Sequence, residues 1–98
     1  MTTVVQEHPK FGRLELVADA DTLTQFQVER YLDEYRKLAD AKYDANGKLV
    51  RAAVAASWIV SPVLTVAEVD GKPARWVTWA GKLIDTLYSE ATQPDPKA

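Results

Sequence analysis

Chemistry at a protein site needs a group that exchanges a proton near neutral pH, an activated nucleophile or a set of metal ligands, and this chain offers few of them. It has one histidine, His8, and no cysteine. Hydrolytic triads and zinc sites draw on those two residue types, because both titrate close to neutrality and carry lone pairs that ligate metal. His8 lies in Met1 to Lys10, a polar stretch that reads as a mobile arm, so it is assigned no catalytic role. The carboxylates Asp33 with Glu34, and Asp40 with Asp44, could act as acid and base or hold a divalent cation. They are interleaved with lysines and arginines on the outer side of a helix, where solvated ion pairing is the ordinary reading. Gly12, Gly47, Gly71 and Gly81 are isolated, so neither a GxGxxG nor a GxxxxGK phosphate loop is present. The residues point away from an enzyme and from any bound metal, nucleotide or other cofactor.

The elements that would position these side chains are organised around Lys48 to Val60, KLVRAAVAASWIV, which carries no charge after Arg51 and is apolar all round at helical spacing. Val50, Val54 and Trp58 form a bulky stripe, which predicts that Val54 and Trp58 are nearly inaccessible. Leu49, Ala52, Ala53 and Ala56 form a small one on which another helix can lie closely. This predicted central helix stops at Ser61-Pro62, since proline disfavours helical geometry in the residue before it. Upstream, Phe11 to Val17 sets Leu14 and Leu16 against Arg13 and Glu15, the alternation of a short strand or hairpin. A helix starts at Thr24, an N-cap with Gln27 at N3 of a capping box and with Leu23 and Val28 placed as a hydrophobic staple. Its inward face is Val28, Tyr31, Leu32, Tyr35, Leu38 and Ala39, and it runs to about Lys42. Tyr43 to Gly47 ends it, with Asn46-Gly47 supplying left-handed positions.

Beyond the central helix, Val63 to Val69 is apolar and largely β-branched, and reads as a short strand or extended loop before the Asp70-Gly71 turn. A last helix runs from near Pro73 to about Ser89. Trp76, Ala80, Leu83, Ile84 and Leu87 centre its stripe, with Val77 and Tyr88 on one edge and Trp79 on the other. The predicted fold is mainly α: about three helices around an alanine-rich central helix, with one or two short N-terminal or linker strands. Residues 1–91 form a single globular domain and residues 92–98 a disordered tail.

With 98 residues the chain can bury one modest core. A net charge of −2 without any basic block excludes a nucleic-acid partner, which needs a clustered cationic face. No 18-residue apolar span and no charged-then-apolar N-terminus occurs, so neither a membrane segment nor a signal peptide is expected, and the protein is expected to stay in the cell that makes it. What remains is an aromatic surplus in awkward places. Phe26 points about 180° from the stripe of its own helix, and Trp79 lies at the margin of another. Either the N-terminal strand covers Phe26 and the Val63 to Val69 segment covers Trp79, or both anchor a partner surface. Phe26, Trp76 and Trp79 are the candidate partner-binding residues, with Trp76 dividing between core and surface.

Several stretches together resemble the small tail assembly chaperones of long-tailed, siphovirus-type bacteriophages. They are HPKFGRLELVADADTLTQFQVERYLDEYRKL, the alanine-rich AAVAASWIV, the link EVDGKP and the closing WVTWAGKLIDTLYSEATQPDP. The resemblance spans nearly the whole chain. It implies a non-catalytic protein of the host bacterial cytoplasm that binds the newly made tape measure protein, keeps it soluble, helps recruit tail tube subunits and is absent from the finished tail. Self-association through the same apolar patches is expected, and in several members a longer form arises by ribosomal frameshifting. The resemblance carries over no catalytic residue and no partner-binding motif, so Phe26, Trp76 and Trp79 rest on the residues alone. Two other readings stay open: a permanent virion component such as a head completion or tail terminator subunit, and a small host protein-protein adaptor.

Overall fold

In the computed structural model, which describes residues 3–94, the N-terminal residues pair with their neighbours. Val4–His8 (β1) and Gly12–Leu16 (β2) run antiparallel, Val4 opposite Leu16 and His8 opposite Gly12. The turn needs Gly12 at φ +81°, and His8 Nδ1 closes it by accepting from the backbone N–H groups of Lys10 at 3.0 Å and Phe11 at 3.3 Å. The stretch expected to be a mobile arm is thus half of a hairpin. Alternation along β2 turns Leu14 and Leu16 into the core, as the sequence predicts.

Gln25–Lys37 (α1) begins at the expected cap. Thr24 Oγ1 accepts from the Gln27 N–H, and the Gln27 side chain accepts from the Thr24 N–H at 2.9 Å. Arg36 and Lys37 occupy the last turn, where cations complement the helix dipole. The helix stops short of the expected Lys42, because the chain must straighten to present Asp44 as the N-cap of Ala45–Ala55 (α2). Asp44 Oδ1 accepts from the Gly47 N–H at 2.7 Å, so Asn46 and Gly47 sit in the first turn of α2 and not in a left-handed turn. Glycine is required there for room: a Cβ at 47 would lie 2.7 Å from Asp44 Oδ1 and 2.8 Å from the Arg51 guanidinium.

The main correction comes at the far end of α2, where Ala56 caps a helix expected to reach Val60. The Ser57 N–H donates to Val54 O at 3.1 Å and the Trp58 N–H to Ala53 O at 2.8 Å. These two bonds, with Ser57 at φ +63°, are a Schellman termination. Ile59–Ser61 then forms β3, antiparallel to β2 with Leu16 opposite Ile59, and the Val17 N–H donates to Trp58 O at 2.8 Å. The fold is therefore α+β, three helices and a three-stranded antiparallel sheet of order β1-β2-β3, and not mainly α with one or two strands. β-branched Ile59 and Val60 fit a strand, and β2 offers them backbone partners that a longer helix would leave unpaired. Trp58 is fully buried as expected, although it follows the helix instead of lying on it, whereas Val54 is only half-buried.

The strand or extended loop expected over Val63 to Val69 is an irregular segment leading into a 3-10 helix at Ala67–Gly71, and the Ser61-Pro62 peptide is cis. Ala74–Thr92 (α3) runs three residues past Ser89 and takes Thr92 out of the expected tail. The part of that tail beyond Pro94 lies outside the described residues. α2 lies between α1 and α3, so the alanine-rich helix is central as expected. Leu14, Leu16, Val50, Ala52, Ala53, Trp58, Trp76, Ala80 and Ile84 belong to one contiguous core. Arg51, 7% exposed, is held inside it by a hydrogen bond to Gly47 O at 3.1 Å, an ion pair with Asp70 and the face of Tyr43 at 3.6 Å, which ties α2 to the 3-10 helix.

Candidate functional site

The three aromatic candidates land in three different environments. Phe26, early in α1, is 69% exposed and pairs with no other ring among the described residues, so no strand covers it. Trp79 is half-buried under the hairpin turn, its ring centroid 5.2 Å from His8 and 6.3 Å from Phe11, while His8 and Phe11 stack at 4.6 Å. The hairpin turn supplies these rings, and the Val63 to Val69 segment does not. Trp76 is 4% exposed and belongs to the core, with Lys72 Nζ 5.2 Å above its ring.

A site that sequence reasoning missed lies where α1 meets α3. Tyr31, Leu32 and Tyr35 from α1, Leu49 from α2, and Asp85 and Tyr88 from α3 line a cleft of about 280 Å³. Helical spacing brings them together: Tyr31 and Tyr35 are one turn apart, as are Asp85 and Tyr88. Tyr31 stacks on Trp58 with centroids 4.3 Å apart and planes 18° from parallel, and its centroid is 5.5 Å from Tyr88 and 6.3 Å from Tyr35. Trp58 is itself fixed by donating Nε1–H to Gln27 O at 3.1 Å. Tyr31 is 2% exposed, yet its hydroxyl has no hydrogen-bond partner among the described residues. Burial pushes its phenol above the usual tyrosine range, and the nearby Tyr35, Asp85 and Tyr88 push it further in the same direction. The available signal was the residue type: facing helices use tyrosine at interior positions where leucine would close the gap.

The remaining openings and charges have simpler roles. A cleft of about 170 Å³ lies between the hairpin and α3, lined by Val4, Gln6, Leu16, Leu83 and Leu87 among others. Val60, Val63 and Val66 are exposed along and after β3. Asp33 pairs with Arg36 at 3.2 Å and Glu34 with Lys37 at 2.9 Å, ion pairs one helical turn apart of the solvated kind expected for α1. Asp44 is consumed by its capping role, and no cluster of three histidine or acidic side chains suited to a metal forms among the described residues. No helix among the described residues is long and apolar enough to cross a membrane. Comparison of the chain with protein-family models, with characterised proteins and with solved structures finds no match.

Proposed function

We propose that the protein is a non-catalytic tail assembly chaperone that binds the tape measure protein in the cytoplasm of a bacterial host and helps recruit tail tube subunits. The binding role is carried by Phe26, a large aromatic side chain 69% exposed on a well-capped helix, which the fold leaves uncovered. Exposed aromatic side chains are frequent anchors of protein interfaces. The choice of client rests on the resemblance of His8 to Pro96 to the chaperone family. A client as long as a tape measure protein is best coated by weak, repeated contacts, whose avidity multiplies along the chain, and self-association through the same apolar residues follows.

Co-purification with a tape measure fragment tests this reading. Phe26→Glu should keep the circular dichroism spectrum and the melting temperature while weakening capture. A variant that folds and captures normally removes Phe26 from the client surface, and a wild-type protein that captures no tape measure segment removes the chaperone role.

A further inference from the structure

The cleft between α1 and α3 has a composition that selects its occupant. Its walls are three tyrosines, two leucines and one carboxylate, Asp85, with no cationic group among the lining residues. Asp85 forms no ion pair among the described residues. Three cations of α1 and α2 are engaged elsewhere, Arg36 with Asp33, Lys37 with Glu34, and Lys48 Nζ with Ala39 O at 3.2 Å, and Lys82, one turn before Asp85 on α3, makes no ion pair with it among the described residues. Tyrosine faces attract a cation within about 6 Å of the ring centroid, most strongly where water is excluded. The buried Tyr31 hydroxyl, without a partner among the described residues, adds an unfilled polar group beneath the cleft. At about 280 Å³, the space lies at the small end of ligand pockets, roughly 300 to 1,000 Å³. It suits one long side chain, whose methylenes would lie on Leu32 and Leu49 and whose charged head would meet the rings and Asp85.

We infer that this cleft receives an arginine or lysine side chain presented by the protein partner, anchoring the client by cation–π contact with Tyr35 and Tyr88 and by charge pairing with Asp85. The inference rests on the binding role proposed above and deepens it: Phe26 supplies an apolar anchor, and the cleft supplies selectivity for a basic residue. A neutral or acidic side chain gains neither contact and leaves Asp85 without a countercharge.

The probe is n-butylguanidinium, with n-butylurea as its neutral isostere, followed through the tyrosine ring resonances by NMR. Butylguanidinium should move the Tyr35 and Tyr88 signals saturably, and butylurea should bind at least about fivefold more weakly, the factor for one charge pair at contact distance in water. Asp85→Asn, at an exposed position and so compatible with folding, should weaken the cation by a similar factor and leave the melting temperature unchanged. Equal shifts with both probes, or none with either, overturn the cation site. Capture of a tape measure fragment by the wild-type protein and the Asp85→Asn variant then tests the source of the cation. Weaker capture by the variant supports a client side chain, and unchanged capture overturns that assignment. Capture without cation binding sinks the cleft and leaves the chaperone reading standing; cation binding without capture does the reverse.

Discussion

α2 meets α3 across small residues, while α1 meets α3 across rings, and the two contacts behave differently. On the α2 side, Ala52, Ala53, Ala80 and Gly81 are buried, and Asn46 approaches Gly81 so closely that a Cβ there would lie 2.6 Å from its Oδ1. Small residues on both helices let them lie close together, with no large side chain to hold them apart. On the α1 side, Tyr31 and Tyr88 hold their rings 5.5 Å apart, and the space around them stays open as the cleft. Here the rings hold the two helices apart and leave an opening between them, which the alanine and glycine contact does not. The comparison separates the residues that make the fold from those that leave it something to bind with.

Trp58 stands under the tyrosine contact and belongs to the same core as the small-residue one, and removing it should have the largest effect. Trp58→Ala deletes a fully buried ring, the support of Tyr31 and the hydrogen bond to Gln27 O, and should lower stability by about 3–5 kcal/mol. A urea midpoint that barely moves would show that the core does not depend on it. Gly81→Ala attacks the small-residue contact alone. Strain of about 1–3 kcal/mol from the new Cβ outweighs the gain of about 1 kcal/mol in helix propensity, so the variant should melt lower, and adding Asn46→Gly, which removes both the amide and the Asn46 Cβ that would lie 2.8 Å away, should recover part of the loss. Additive effects in the double variant would mean that Asn46 and Gly81 do not meet.

Tyr31→Phe acts on the other contact and should do the opposite. It removes a buried hydroxyl without a partner among the described residues and should raise stability at neutral pH by about 1 kcal/mol. Its pH signature also has a definite sign. The folded state raises the phenol pKa above its ordinary 10.0, so folding disfavours the ionised form, and the stability held below pH 10 is lost as pH rises beyond it. Urea midpoints measured from pH 8 to pH 11 should therefore fall more steeply for the wild type than for Tyr31→Phe; equal slopes would place the phenol in water. Phe26→Ser should have the smallest effect, within about 0.5 kcal/mol of wild type in a thermal melt, because the side chain is mostly in solvent already.

Legibility followed the range of the interactions. The Thr24 capping box, the alternation of Leu14 with Leu16 and the stripe of α3 are local patterns, and each is found where the sequence places it. The end of α2 was not legible, because an apolar run such as AASWIV satisfies a buried helix and a buried strand equally well. What decides there is the free edge of β2, more than 40 residues earlier in the chain. Asn46-Gly47 misled for a related reason: glycine served close approach to Asp44 and Arg51, and not a left-handed turn. Trp79 is covered by His8 and Phe11, which only the hairpin register brings near. The tyrosine cleft escaped because periodicity reports which side chains face inward and is silent on whether they fill the space they face.

Ser57 matters for how this fold could be followed through divergence. A helix that passes into a strand within four residues needs one residue at positive φ, and serine holds that place here at φ +63°. Glycine or asparagine would hold it with less strain, while β-branched residues are disfavoured. Distant kin that keep the architecture should therefore show a small or amide residue at this point, an aromatic directly after it, and a glycine on the last helix facing the first turn of the alanine-rich one. That pairing of backbone requirements can outlast the erosion of every apolar stripe, since stripes accept many substitutions and a positive φ or a missing Cβ accepts few.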